Sequence, residues 1–299
     1  MRVLELFAGA GGAALGLHDA GFEHVACVEL NPHAAATLRA AGFPAIEADV
    51  RGLDYAALAG EVDLLWASPP CQPWSGLGKR QGTDDDRDGW AWTLAVLPDL
   101  RPTWVVCENV PGSRRHIEAT VLPELRKLYA HVALWQLDAA DYGTASRRAR
   151  LFVVAGPRCV YPPAPQPRRT VRDVLPHLTG EGIAYYAHEC NAGWGMARVP
   201  HSIDGQCQAI TAGSEQSHGG NGLLFVTSAA APGLALPPRS GMHRRATVVE
   251  CALLMGFPAT HPFEGNLTQC RRQVGNAVPP SLAEAVARQL LGTPAHDQT

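Results

Sequence analysis

Long apolar runs are missing from this chain of 299 residues. None reaches the roughly 18 residues that a membrane-spanning helix needs, so no membrane partner is expected. Its eight cysteines form no CxxC pair and no Cys/His cluster at zinc-finger spacing, so no metal is expected. In a chain long enough to bury a large core, scattered cysteines read as reduced, mostly buried side chains. Lysine is almost absent, with two against 23 arginines, a bias that GC-rich coding accounts for. Glu5 interrupts the first apolar stretch and glycines follow, so no signal peptide is read there and a cytoplasmic location is expected. The net charge of −3 does not announce a nucleic-acid binder. Its distribution says more. Seven arginines and no acid lie between residues 144 and 172, and Arg239, His243, Arg244 and Arg245 form a second basic group, followed later by Arg271 and Arg272. Two such groups on an otherwise acidic chain point to a localised anionic partner.

What is present begins as a strand, a glycine turn and a helix. Val3, Leu4, Leu6 and Phe7 read as a buried strand, followed by Ala8-Gly9-Ala10-Gly11-Gly12-Ala13-Ala14. Gly9, Gly11 and Ala14 have the spacing that lets backbone approach a nucleotide closely. The apolar run 24–28 ends in Glu29, an acid positioned to hydrogen-bond ribose hydroxyls. Pro32 opens a helix through Ala41. Asp49 closes a short third strand near residues 45–46, either as a cap or as a contact to an adenine amine. This order favours an adenosine cofactor without separating NAD from S-adenosylmethionine.

A fourth buried strand, 62–67, runs into Ser68-Pro69-Pro70-Cys71-Gln72-Pro73-Trp74-Ser75. Three prolines stiffen this turn and hold Cys71 just past a strand's carboxyl end, where open α/β sheets carry their chemistry. Residues 76–89, glycine-rich and charged, cannot pack as core and read as a surface loop or lid after that thiol. A helical pattern over 90–100 precedes a strand at 103–107, with Glu108 just past its end. A helix at 117–129 and strands at 132–137 and 151–154 follow. Arg148 and Arg150 share parity in an extended segment and so face one side, which suits a phosphate or a base edge. Beyond Val160 a proline-rich linker opens a polar, loop-rich stretch. A capped helix ending at Gly256 and an amphipathic helix over 281–291 close the chain. The expected division is a catalytic and cofactor-binding domain at 1–159, a small second domain at 160–243, and a return segment at 244–299 that completes the first.

In this order the segments resemble the DNA (cytosine-5)-methyltransferase family. The likeness is carried by Phe7-Ala8-Gly9-Ala10-Gly11-Gly12, Glu29, Asp49, the Pro-Pro-Cys-Gln-Pro-Trp-Ser turn and Glu108-Asn109-Val110. Arg147-Arg148-Ala149-Arg150, Gly256-Phe257-Pro258 and Gln273-Val274-Gly275-Asn276-Ala277-Val278-Pro279 complete it. The resemblance implies an α/β fold: a Rossmann-like class I S-adenosylmethionine-dependent methyltransferase domain, with target recognition at 160–243. It implies a bacterial or phage-type enzyme that moves methyl from S-adenosyl-L-methionine to C5 of a cytosine flipped out of double-stranded DNA. By the same likeness Cys71 is the nucleophile, Glu108 the acid at N3, and Arg148 and Arg150 the clamp on the base's O2 side. Phe7, Gly9, Gly11, Glu29, Asp49 and Asn276 are implied cofactor ligands. Gln72, Ser75, Arg87, Thr211 and Arg244 are candidate DNA contacts. A cognate restriction endonuclease acting separately is a candidate partner, and a monomer is expected.

The chain departs from the family pattern at four places. Glu5 stands for a frequent Asp, Trp74 for Phe, Ala145-Ser146 for Pro-Gln, and Met255 for Gln. The third removes an amide that would brace the arginines. Three other readings compete: an RNA-methylating member of the same fold, a catalytically silent DNA-binding relative, and an NAD-dependent oxidoreductase. The long recognition segment favours DNA over RNA. Retention of Cys71, Glu108, Arg148 and Arg150 speaks against a silent relative, and the closing motifs speak against an oxidoreductase.

Overall fold

A computed structural model describes residues 1–70, 89–178, 201–212 and 246–292, with the backbone of 182–185, 223–226 and 243–245. The chain opens by alternating strand and helix: β1 (Arg2–Leu6), α1 (Gly12–Asp19), β2 (Glu23–Glu29), α2 (Pro32–Ala40) and β3 (Ala45–Glu47). Next come β4 (Leu64–Ala67), α3 (Gly89–Ala95), α4 (Leu97–Leu100) and β5 (Trp104–Asn109). Short helices α5 (Arg114–His116) and α6 (Leu122–Leu128) lead to a hairpin of β6 (His131–Asp138) and β7 (Ala149–Gly156), then α7 (Val171–Val174). Four short strands follow, β8 (Gly182–Tyr185), β9 (His201–Ser202), β10 (Leu223–Val226) and β11 (His243–Arg245). The last helices are α8 (Val248–Leu254), α9 (Leu267–Asn276) and α10 (Pro280–Leu291).

The main sheet has the order β3-β2-β1-β4-β5-β7-β6, the Rossmann-like α/β arrangement expected from the sequence. Strands β1 to β5 run parallel, and β7 lies antiparallel between β5 and β6. Helices cover both faces, so β4 and β5 are buried throughout and read as continuous apolar runs. The strand order reverses between β1 and β4, and ligands of open α/β sheets bind in the crevice outside such a switch point. The turns after these two strands are the glycine turn and the proline turn that leads to Cys71. A second, antiparallel sheet has the order β11-β10-β8-β9. Among the described residues no helix is long and apolar enough to cross a membrane.

Three local expectations are corrected. The helical pattern over 90–100 forms two helices, α3 and α4, because Pro98 lacks the N–H that would continue the ladder. Glu108 lies inside β5 rather than past it, because β7 extends the ladder to Glu108↔Phe152 and Asn109↔Leu151. Residues 271–276, read as a lead-in to the last helix, end a helix of their own. An Asn266/Gln269 capping box starts that helix, and Gly275 near its end obscured it in the sequence.

The chain's two ends meet through missing side chains. Gly12 and Gly16 lie four apart on one face of α1. A Cβ on Gly12 would lie 2.1 Å from the Val278 carbonyl oxygen, and one on Gly16 would lie 2.1 Å from that of Pro280. A second tie joins α2 to α9. The Thr37 hydroxyl donates to Gln273 Oε1 at 2.6 Å and accepts from Glu264 N at 2.8 Å, while Gln273 Nε2 donates to the Glu264 carbonyl. Gly16→Ala is expected to cost about 1–3 kcal/mol by overpacking, read as a lowered urea midpoint. Gly52→Ala, whose Cβ would meet nothing within 4 Å among the described residues, should leave the midpoint near that of the wild type.

Candidate active site

The turn after β1 passes three times through left-handed backbone: Phe7 at φ +58°, Gly9 at +57° and Gly11 at +82°. For Phe7, a non-glycine residue, this is a sparsely populated conformation that its surroundings must hold. They do so from two sides. Ala8 N donates to the Val28 carbonyl at 3.1 Å, and Gly9 N donates to Glu29 Oε2 at 2.8 Å. Glu29 Oε1 accepts from Asn31 N at 2.7 Å, so this carboxylate first organises the turn, with lone pairs left for a ligand. Buried His261 places Nε2 2.9 Å from the Ala10 carbonyl oxygen. Burial lowers the pKa of His261 and favours a neutral ring that donates this bond.

The backbone at Gly9 is open. Among the described residues no heavy atom lies within 4 Å of where its Cβ would stand, whereas at Gly11 Leu38 Cδ2 lies 3.0 Å away. That gap is room for a ligand against the main chain, as the nucleotide spacing requires. Asp49 caps the turn Val50–Gly52 and pairs with Arg51 through Nε at 2.9 Å, so the capping role weighed for it is present. The Arg51 side chain, with its backbone N–H, holds the Asp49 carboxyl below the usual range and therefore ionised. Asn276 ends α9 exposed. The Gly12 contact with Val278 holds the segment just after Asn276 against the helix that the glycine turn opens.

Cys71, Gln72, Trp74, Ser75 and Arg87 fall outside the described residues, as does nearly all of the expected lid. Both borders of that stretch are described. The Pro69 carbonyl accepts from buried Asn109 Nδ2 at 3.1 Å. A Cβ on Gly89 would lie 2.7 Å from Pro69 Cβ, 2.8 Å from Pro70 Cδ and 3.1 Å from Phe7 Cζ. The chain thus leaves at Pro70 and re-enters at Gly89 at one point, beside the glycine turn.

Register brings the acid to the same place. Ala67 pairs with Cys107, which sets Glu108 beside the exit of β4 toward Cys71. Phe152 lies opposite Glu108, so Arg150, two residues back on β7, faces the same side as a diagonal neighbour. Arg150 Nε lies 2.9 Å from Glu108 Oε1. Glu108 is 8% exposed, and burial pushes its carboxyl pKa up against the opposing charges of Arg150 and Arg148. The result is a carboxyl that holds a proton more tightly than an exposed one, with a cation fixed beside it.

Arg148 does different work. Its Nη1 donates to the Ile210 carbonyl at 2.7 Å and its Nη2 to the Gly275 carbonyl at 2.9 Å, at 2% exposure. A Cβ on Gly275 would lie 2.3 Å from Ala212 N. Buried Arg148 therefore bolts β7, the 201–212 segment and α9 together. The Ala145-Ser146 departure is braced by main chain instead of an amide. Cys207 N donates to the Ala145 carbonyl and Arg147 N to the Cys207 carbonyl, both at 2.8 Å. Thr211 is exposed next to this junction, and the Arg244 backbone pairs with Phe225 in the second sheet. A third hydrophobic cluster, holding Ala145, Val171, Ile203, Cys207, Ile210, Cys251, Phe257 and Val274, joins these segments.

Two residues of this architecture were given no role by the sequence reading. Asn109 stands in the quoted Glu-Asn-Val triplet, so a signal existed. His261 carried none, since only the fold brings it to Ala10.

A profile of the family described as C-5 cytosine-specific DNA methylase matches residues 1–160 and 170–292. The chain is 34% identical to the type II methyltransferase M.NgoMIV of Neisseria gonorrhoeae, over 96% of each protein. It is 31% identical to the type II methyltransferase M.NaeI of Lentzea aerocolonigenes, over 97% of this chain and 74% of that one. Among solved structures, the Entamoeba histolytica methyltransferase EhMeth superposes with a TM-score of 0.73 at 14% identity, covering 97% of this chain and 98% of its own. Spodoptera frugiperda DNMT2 gives 0.69 at 16% identity, covering 97% and 99%; at such identities the likeness speaks for the fold. The chain belongs to the C-5 cytosine-specific DNA methylases, enzymes that methylate DNA with S-adenosylmethionine as the methyl donor.

Proposed function

We propose that this enzyme methylates C5 of a cytosine flipped out of double-stranded DNA, through a covalent bond between Cys71 and C6. The observation that carries this reading is Glu108: a buried acid with a raised pKa, paired to Arg150, in register with the turn that leads to Cys71. Cytosine C5 is a weak nucleophile while the ring is aromatic. Addition of the Cys71 thiolate at C6 breaks the aromaticity and makes C5 enamine-like. Glu108 supplies a proton or hydrogen bond to N3 as the ring takes on charge, which requires the carboxyl to be protonated when the base enters. Arg150, with the charge of Arg148 behind it, stabilises the addition product on its O2 side. S-adenosylmethionine, when bound, supplies an electrophilic methyl. With the methyl on C5, loss of the C5 proton to solvent breaks the C6–S bond and expels Cys71 as the thiolate. N3 returns to Glu108 any proton it took, which restores the ring as 5-methylcytosine.

Phe7, Gly9, Gly11, Glu29, Asp49 and Asn276 are the proposed cofactor ligands, supported by the open backbone at Gly9 and the fixed carboxylate of Glu29. The target carbon is hidden in a duplex, so flipping, at a cost of a few kcal/mol, belongs to the reading. Residues 160–243 supply site specificity by reading bases in the major groove, with Gln72, Ser75, Arg87, Thr211 and Arg244 as further DNA contacts. The type II names of the relatives support a modification role beside a restriction endonuclease that acts separately.

Cys71→Ser is expected to abolish transfer of labelled methyl to duplex DNA while leaving S-adenosylmethionine binding intact. With 5-fluorocytosine at the target position, wild type should form a denaturant-stable protein–DNA adduct; persistent absence of that adduct on a verified target overturns attack at C6. The rate of transfer should be bell-shaped in pH. It rises as Cys71 ionises and falls on the alkaline side as Glu108, protonated below its raised pKa, loses its proton. Glu108→Gln should lower the rate by about 10²- to 10⁴-fold and flatten the alkaline limb, because an amide donates at every pH.

A further inference from the structure

Beneath the cofactor turn lies a cluster of ionisable side chains for which methyl transfer has no use. On the paired strands β1 and β2, Val3 pairs with His24 but Leu4 pairs with Ala26, which leaves Val25 as the extra residue of a β-bulge. In a regular strand His24 and Cys27, three apart, face opposite sides. The bulge turns His24 to the side of Cys27, and Cys27 pairs directly with Glu5 on β1. Glu5 Oε2 lies 3.5 Å from His24 Nε2 and 3.8 Å from Cys27 Sγ, and all three donor atoms fall within 4.8 Å of one another. The side chains of Glu5 and His24 are 1% and 3% exposed, and Cys27 is fully buried. Among the described residues His24 Nε2 has no hydrogen-bond partner, although a buried polar nitrogen ordinarily has one. Phe43 packs edge-on against the His24 ring, and Ala8, Ala14 and Leu38 wall the pocket beside Cys27.

We infer that Glu5, His24 and Cys27 form a buried binding site for a divalent cation of the zinc class. Zinc takes thiolate, imidazole and carboxylate ligands with bonds of about 2.0–2.3 Å, so its tetrahedral ligands stand about 3.3–3.8 Å apart. The two measured separations require at most a small contraction. One carboxylate and one thiolate neutralise a divalent ion, and the imidazole Nε2 gains the partner it lacks. Binding sends the proton of Cys27, and that of Glu5 where it is protonated, to solvent, and leaves the fourth position for water. Glu5 is one of the chain's departures from the family pattern, and its extra methylene relative to Asp carries the carboxylate out to the other two donors. The ion would staple β1 to β2, whose ends carry the Phe7–Gly11 turn and Glu29. Its effect falls on cofactor affinity, not on the chemical step.

Full-length protein purified without chelators should hold about one zinc per chain by elemental analysis. Cobalt added to chelator-stripped protein should produce a thiolate-to-cobalt charge-transfer band in the near ultraviolet. The band should vanish in Cys27→Ala and His24→Gln and persist in Cys71→Ser and Cys159→Ser. Stripping the metal should weaken S-adenosylmethionine binding several-fold by calorimetry. The site is overturned if wild type takes up neither zinc nor cobalt at stoichiometric addition, or if the band survives Cys27→Ala. Should that variant fail to fold, metal uptake and the cobalt band of the wild type decide the question alone.

Discussion

The site depends on two glycines that let the first helix touch the last segment of the chain. With no Cβ on Gly12 or Gly16, α1 approaches the carbonyls of Val278 and Pro280 closely enough to exclude any side chain. The turn that opens α1 is the one proposed to take the cofactor, and the segment it touches begins just after Asn276. A contact between residues about 265 apart in sequence therefore joins the two ends of the chain where the proposed cofactor ligands lie. The Thr37–Gln273 bond ties α9 to the helix after Glu29 and repeats this logic at α2. Interiors packed at crystal-like density transmit such contacts with little slack.

Around that frame, several buried polar groups are held by a partner across the sheet. Glu108 is the instructive case. Burial alone favours its neutral form and Arg150 favours its charged form, and burial is the larger of the two. A carboxyl balanced this way can give up a proton and be left stabilised by the neighbouring guanidinium. Asn109, the next residue, anchors the Pro69 carbonyl, so the acid and the proline turn that leads to Cys71 are fixed by adjacent positions of one strand. Removing one partner of such a buried pair leaves an uncompensated group.

Arg148 shows that a shared face does not mean a shared role. Both arginines act electrostatically on Glu108, yet two donors of Arg148 are engaged by main-chain carbonyls from segments 62 and 127 residues away. The 201–212 segment sits directly on Gly275 and on the Ala145-Ser146 backbone, so this approach to the second sheet is built into the main domain. Where the chain lacks the usual amide beside its arginines, this short ladder supplies the bracing.

The fold class, the glycine turn, the terminal acid Glu29 and the order of the motifs were all legible in the sequence. Each depends on local constraints: apolar periodicity, proline and glycine conformation, and spacing within one strand–turn–helix unit. Legibility stopped where partners are distant. Glu108 was read as lying past its strand because only the antiparallel neighbour β7 extends the ladder to it. His261 carried no signal, since its partner Ala10 is 251 residues away. His24 and Cys27 stood at the wrong spacing for a common face until a bulge, visible only in the pairing of β1 with β2, brought them to Glu5. The sequence by itself determined which chemistry the chain carries. The tertiary structure decided which groups are buried, which are paired and which donors converge, because burial and long-range register arise only when the sheet is assembled.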